Sequence, residues 1–461
     1  MSKKPNIVYV LTDQWRAQAF GYSGDPNVKT PNIDALATES INFKNAISVC
    51  PVCTPHRASL LTGKFPTTTG MFMNDLYLPA EEYCMAEMFK ESGYDTAYIG
   101  KWHLDGHGRD QFIPAERRQG FDYWKVLECT HDYNNSFYYD GDDPTLKKWE
   151  GYDAYAQTKD AIQYIENHKS KEEPYLLFIG YGGPHFPHHS APEELKALYP
   201  ENELKLRDNV TEEFEEKARK ELQGYYGHCT AIDACIGDLQ KAIEKNGEAE
   251  NTIFIFTSDH GEMMGSQGKR PYAKQVPWDE SVCVPFLIKM PGASNDQARV
   301  IETPLNTTDI LPTLLGLADI EKPDGIEGED LSQHIVEENE LEDRAVLFMS
   351  VAPFADAHVI VKAYRGIRNA RYSYVRNSDG PWLLYDNQED PYQMKNLIAD
   401  DNYVDTRSKM ESQLQSLLEK NDDPFLTKEA SIQQWGYDVG NGNCIPYHGE
   451  FKTQSPAYRA N

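Results

Sequence analysis

No apolar run in this sequence approaches the roughly 20 residues that a membrane-spanning helix requires. Lys3 and Lys4 are followed by no long apolar segment before Asp13, so no secretion signal is legible. The expectation is a cytoplasmic protein, or a periplasmic or secreted one from which a leader was removed. Positive charge is scarce: 45 Lys and Arg stand against 73 Asp and Glu, a formal net charge of −28. A field of that sign repels nucleic acid and anionic membrane, which removes both from the expected partners. It repels sulfated or phosphorylated ligands too, so handling an anion would need a local cationic cluster. Cysteine is sparse, with eight in 461 residues. That is no disulfide scaffold, and the pair Cys50 and Cys53 has no second C-x-x-C to complete a zinc site. Internal repeats and low-complexity segments are absent.

What is present is an alternation of strand and helix signals. "NIVYVLTD" (6–13), "PYLLFIGYGGPH", "NTIFIFTSDHG" and "VPFLIKMPG" read as buried strands, and "GYDTAYIGKWH" as a glycine stop followed by a strand. Between them, "TPNIDALATES", "CMAEMFKES", "YAQTKDAIQYIEN" and the long "KELQGYYGHCTAIDACIGDLQKAIEKNG" carry helical periodicity. The pattern predicts an α/β fold, a large mixed and mostly parallel sheet sandwiched by helices, over residues 1–340. From 341 to 461 the texture changes. "RAVLFMS", "HVIVKAYRGIRNARYSYV" and "WLLYDNQ" read as antiparallel strands and "TRSKMESQLQSLLEK" as a packing helix, a smaller α+β subdomain ending in a wrapping tail from Phe425.

In parallel sheets ligands collect at the carboxyl ends of strands. The polar residues that follow these strands are Asp13 with Gln14, Lys101 with His103, His185, and Asp259 with His260. A single Asp after a strand is commonly a turn residue. Two strand ends that each carry a ligand-capable neighbour favour a hard divalent cation. Lys101, His103, His185, Arg57 and Lys274 form a second, cationic set, suited to an anion held against that metal. Cys53, ahead of a helical run, stands open at this point as redox partner, nucleophile or packing residue.

The stretch "CTPHRASLLTGK", with Cys-x-Pro-x-Arg followed by Leu-x-Thr-Gly-Lys, narrows the choice. Together with "PNIVYVLTDQ", "GKWHL", "GPHFP", "TSDHG" and "LYDNQEDPYQMKNL", in that order, it resembles the type I, formylglycine-dependent sulfatases of the alkaline-phosphatase-like superfamily. The resemblance implies that a maturation enzyme oxidises Cys53 to 3-oxoalanine (formylglycine), with Cys50 incidental. One oxygen of the hydrated aldehyde attacks sulfur and the other lets sulfate leave by elimination. It further implies Asp13, Gln14, Asp259, His260 and the modified Cys53 as metal ligands, for calcium ahead of manganese or magnesium. Arg57 would position residue 53, Lys101 and Lys274 would bind sulfate, His185 would protonate the leaving alcohol, and His103 would act as the base in sulfate release. Three positions depart from the family's usual residues: Gln14 replaces Asp, His260 replaces Asn, and His56 replaces the Ser used by the serine-dependent maturation route.

The substrate class implied is a sulfated saccharide. Arg117, His131, Asp132 and Asn134, set among aromatics in "ERRQGFDYW" and "ECTHDYNNSFYY", suit sugar hydroxyls and ring faces. Arg365 and Arg368 are candidates for a second anion contact, although basic loops often only pack. The alternatives are a phosphonate monoester or phosphodiester hydrolase using the same constellation, and a catalytically silent binder of sulfated glycans.

Overall fold

The computed structural model describes residues 4–169, 171–293, 298–337, 341 and 343–446. The boundary expected at 340/341 abuts residues outside this set, and the last part of the expected tail, 447–461, lies beyond it.

The strands are β1 (Asn6–Asp13), β2 (Ile41–Phe43), β3 (Ala46–Ile47), β4 (Asp95–Lys101), β5 (Tyr123–Leu127), β6 (Phe137–Asp140), β7 (Asp143–Lys148), β8 (Tyr175–Pro184), β9 (Thr252–Ser258), β10 (Phe286–Lys289), β11 (Arg299–Ile301), β12 (Leu305–Asn306), β13 (Val346–Ser350), β14 (Tyr364–Arg368), β15 (Tyr372–Asn377) and β16 (Gly380–Asp386). Ten of them form one sheet in the order β11-β2-β10-β9-β1-β8-β4-β5-β6-β7. Its centre, β9-β1-β8-β4-β5, is parallel, and β10, β6 and the outer β7 pair antiparallel with their neighbours. β3 and β12 make a small parallel pair, and β13 to β16 form an antiparallel sheet in sequence order.

β1 shows why the innermost strands carry apolar runs that do not alternate with polar residues. Ile7, Tyr9 and Leu11 enter one buried cluster while Val8 and Val10 enter the other. The period of two divides residues between two covered faces, so the run from Ile7 to Leu11 is apolar throughout. One face is covered by helices Cys53–Thr62, Met85–Glu91 and Thr307–Leu317, the other by Pro31–Ala37, Asp153–His168 and Glu215–Asn246. The last is a 32-residue helix stopped by Gly247 in the left-handed region. Among the described residues no helix is long and apolar enough to cross a membrane.

The C-terminal sheet does not have a core of its own. Leu347, Met349, Ile367, Leu384 and Leu414 share a cluster with Leu60, Leu311 and Ile7. The tail as far as residue 446 also returns to the first part of the chain, where the Tyr437 hydroxyl donates to Gly70 O at 2.9 Å. One element differs from expectation. The apolar "HVIV" is not a strand, because Ala357–Ile360 closes a short helical turn before β14 begins.

Candidate active site

Parallel pairing brings the carboxyl ends of β1, β4, β8 and β9 to one edge. Asp13 ends β1, Lys101 ends β4, His185 follows β8 and Asp259 follows β9. β4 and β8 approach so closely that a Cβ on Gly100 would stand 2.2 Å from Gly180 O, which requires glycine beside Lys101. Helix Cys53–Thr62 starts at this edge with Cys53 as its first residue, and the whole helix is buried. Non-glycine residues in the left-handed region gather here: Gln14 (φ 65°), Asp75 (64°), His103 (59°) and Tyr272 (79°).

Cys53, Asp13, Asp259 and His260 each offer one ligand atom, and these atoms lie within 4.8 Å of one another. Cys53 Sγ is 3.6 Å from Asp13 Oδ1 and 3.4 Å from His260 Nε2. His260 Nε2 is 3.5 Å from Oδ1 of both Asp13 and Asp259. The other carboxylate oxygens are held from behind. Arg57 reaches Asp259 Oδ2 at 3.2 Å and Asp13 Oδ2 at 3.4 Å, and Lys101 reaches Asp13 Oδ2 at 2.6 Å. His260 Nδ1 lies 3.0 Å from Gly261 O; a carbonyl only accepts, so Nδ1 carries the proton and Nε2 keeps its lone pair for the cluster. Gln14 Nε2 donates to Glu262 at 2.6 Å, which turns Oε1 toward Lys274 at 3.0 Å. Two carboxylates, an imidazole lone pair and an amide oxygen beside residue 53 fit a divalent cation.

The cationic groups sit on the same cluster. Lys101 Nζ and Lys274 Nζ are 3.8 and 3.7 Å from Cys53 Sγ. Arg57 and Lys101 touch the two carboxylates and Lys274 lies on Gln14 and Cys53, so positive charge is concentrated at this edge within a molecule of net charge −28. Burial works to raise the Asp13 carboxyl, and Lys101, ahead of His185, His260 and Lys274, holds it well below the carboxylate range. Burial and Asp13 would raise the Cys53 thiol, and the two lysines bring it below its ordinary value. Cys50, lacking those lysines, is pushed by burial up to about 12. It is a buried packing residue.

His185 stands between two cis prolyl bonds. Its Nδ1 donates to Phe186 O at 2.8 Å, so Nε2 accepts from Lys274 Nζ, also at 2.8 Å. Burial first, then the Lys274 charge, push its imidazole well below the ordinary range, which makes it neutral. His103 Nε2 is 3.1 Å from Asp75 Oδ1. His131 is buried and stacks on His185 with ring centroids 4.5 Å apart. His56 is turned into the core, 3.0 Å from Ser48 Oγ and 3.2 Å from Thr307 Oγ1.

The remaining candidates diverge. Arg117 is half-buried and gives Nε to Asp105 at 2.6 Å. Asp132 is half-buried, and Asn134 is exposed with its amide on Ser190 O at 2.7 Å. Arg365 and Arg368, expected as a second anion contact, are instead engaged with carboxylates of the protein itself. Both are buried on β14, Arg365 in a two-pronged pair with Asp423 and Arg368 against Asp279 at 3.0 Å. An arginine shielded from solvent with its fork already on a carboxylate is poorly placed to meet a ligand. Sequence reasoning missed Asp75 and Glu262, which orient His103 and Gln14. Glu262 lies inside the "SDHGE" run and could have been read from it; "FMNDL" carries no signal for Asp75.

Comparison with known proteins identifies the family. A family model described as Sulfatase matches residues 5–320, and one described as N-sulphoglucosamine sulphohydrolase, C-terminal, matches 268–420. The chain is 52% identical over 458 residues to the "Ulvan-active sulfatase" of Formosa agariphila, covering 98% of this chain and 89% of that protein. It is 31% identical to the "Endo-4-O-sulfatase" of Bacteroides thetaiotaomicron, covering 93% and 94%. A solved structure described under the metabolism of multiple glycosaminoglycans by Bacteroides thetaiotaomicron superposes with a TM-score of 0.82 at 29% identity, covering 96% of this chain and all of that one. With a matched model over most of its length and relatives this similar across nearly all of it, the chain belongs to the sulfatase family and is a sulfuric ester hydrolase.

Proposed function

We propose that this protein hydrolyses O-sulfate esters on a saccharide at the edge where β1, β4, β8 and β9 end. The carrying observation is the meeting of Cys53 Sγ with Asp13, Asp259 and His260 and with two lysines under 4 Å away. The oxygen donors of Asp13, Asp259 and Gln14 suit calcium ahead of manganese or magnesium, with the His260 nitrogen as the one softer donor. When bound, the cation supplies positive charge to the sulfate oxygens and acidifies the attacking group. Oxidation of Cys53 by a maturation enzyme to 3-oxoalanine supplies a hydrated aldehyde as nucleophile.

The protein's own side chains do the rest. Arg57 holds both carboxylates so that residue 53 and the ligand oxygens keep one geometry. Lys101 and Lys274 take the sulfate oxygens. The Lys274–His185 pair holds the proton for the leaving alcohol: Nε2 of His185 accepts from Lys274 and can pass a proton on without moving its ring. His103 receives the proton released as sulfate departs. His131, Asp132, Asn134 and Arg117 are assigned to the saccharide side, with His131 nearest the acid through its stacking on His185. The division into 1–340 and 341–461 is proposed on the separateness of the two large sheets.

The 52% identical relative is named as ulvan-active, so sulfated oligosaccharides from ulvan head the test panel beside glycosaminoglycan fragments and aryl phosphonates. Matured enzyme is expected to release sulfate from at least one saccharide, and Cys53→Ala, folded as wild type, from none. Turnover retained by Cys53→Ala, or an aryl phosphonate preferred over every sulfate ester, would overturn the reading.

A further inference from the structure

Asp75 lies outside every motif that identifies the family, yet it is tied to the proposed base. Its carboxylate is buried, 8% exposed. Oδ1 accepts from His103 Nε2 at 3.1 Å and from Arg109 Nε at 2.8 Å, and Oδ2 accepts from Arg109 at 2.9 Å. Asp75 and His103 both sit in the left-handed region, a conformation that is strained for a non-glycine residue. The surroundings hold them there. Asn74 Oδ1 accepts from Thr54 N at 3.0 Å, and the Thr54 hydroxyl donates to His103 O at 2.8 Å. The first turn of the Cys53 helix, the 74–75 segment and His103 are therefore cross-linked by hydrogen bonds. His103 N donates to Glu128 O, and the Glu128 carboxylate accepts from the backbone N–H groups of Leu104, Asp105 and Gly106, which pins the far side of the loop.

A carboxylate already holding a guanidinium can only accept, so His103 Nε2 must carry the ring proton. The other nitrogen, Nδ1, is buried without a hydrogen-bond partner among the described residues. The residue that carries this unsatisfied lone pair is bonded through its carbonyl to the first turn of the nucleophile helix, and a buried polar atom left unpaired is costly. We propose that Asp75 is a positioning residue that fixes His103 in the Nε2–H tautomer and so presents Nδ1 as the base for sulfate release. This rests on the sulfatase reading above. In that step Nδ1 takes the hydroxyl proton at residue 53. The O–H electron pair becomes the carbonyl bond while the bond from Cβ to the sulfate oxygen breaks, and its pair leaves with sulfate. No oxidant or further reactant is needed. Burial works to raise the Asp75 carboxyl, but Arg109 foremost, then His103, hold it well below the usual range, consistent with a permanent acceptor.

The test has a readout independent of turnover. Nitrogen-15 imidazole NMR of the unconverted Cys53 protein is expected to show His103 as the Nε2–H tautomer. Asp75→Asn, whose amide can present N–H to the ring, should shift it toward Nδ1–H. Arg109→Gln breaks the other arm of the carboxylate and should leave the tautomer as in wild type. In matured enzyme with an activated aryl sulfate, Asp75→Asn should lower kcat by ~10²-fold or more with kcat/KM nearly unchanged, and a one-per-site burst of phenol should appear. A wild-type Nδ1–H tautomer, an unchanged tautomer in Asp75→Asn, or equal loss of kcat and kcat/KM without a burst would each overturn the proposal. If Asp75→Asn does not fold, the wild-type tautomer still decides it. Absence of any sulfate ester turnover by wild type would sink the sulfatase reading instead, and the spectra would judge Asp75 on their own.

Discussion

At position 185 a neutral imidazole accepts from Lys274 on one side and donates to Phe186 O on the other, so its acid function depends on a borrowed proton. Replacing His185 with Ala should therefore matter in proportion to the basicity of the leaving group. Turnover of a saccharide sulfate is expected to fall by about 10²–10⁴-fold, and that of an aryl sulfate with an acidic phenol by far less. Equal slowing on both substrates would remove His185 as the acid. The sequence made this residue visible through "GPHFP", as it made visible Asp13, Lys101, His103, Asp259 and His260, because each follows a recognisable buried strand. What stayed hidden was the partner of each group. Which nitrogen of His185, His103 or His260 bears a proton is set by Phe186 O, Asp75 and Gly261 O, and two of these three are backbone atoms that any residue could supply.

Elements carry charges whose role is stability rather than catalysis. β14 places Arg365 in a buried pair with Asp423, after the helix Val404–Lys420. Arg365→Met strands the carboxylate and should destabilise the protein by about 3–5 kcal/mol, read by urea unfolding, with KM for a sulfated substrate unchanged. A raised KM at unchanged stability would return Arg365 to the site. At the start of helix Asp153–His168, burial pushes the Asp153 carboxyl up to about 7 despite hydrogen bonds from Ser136 and the Ala154 backbone. A raised folded value means the native state holds this proton more tightly than the unfolded chain. The associated stability is complete below the ordinary Asp range and is lost as pH rises toward about 7, by at most about 1.4 kcal/mol per pH unit. Asp153→Asn should flatten that part of the melting-temperature profile between pH ~5 and ~8; an unaltered slope would refute it. Strand and helix positions of the main sheet were readable because burial on both faces leaves uninterrupted apolar runs. The roles of Arg365 and Arg368 were not, because a basic run reads the same whether its forks meet a ligand or a buried carboxylate.

Across the whole molecule, a net charge of −28 surrounds one cationic edge. A polyanionic saccharide must cross the outer field before it meets Lys101 and Lys274. For such a substrate kcat/KM is expected to rise as salt goes from ~10 to ~100 mM, where the Debye length shrinks from about 30 to about 10 Å. A steady fall over that range would show that the local cluster governs approach. The amino-acid order by itself determined the α/β class, the inner strands β1, β4, β8, β9 and β10 and the residue types at the ends of β1, β4, β8 and β9, because periodicity and strand-end chemistry are local properties of the chain. It also carried the family pattern around Cys53. Only the tertiary structure decided that β4, β8, β1 and β9 lie side by side, that Arg57 holds the two carboxylates from behind, and that Asp75 meets His103. Those contacts join residues far apart in the chain, and strand order and side-chain direction, which create them, are written in no single segment.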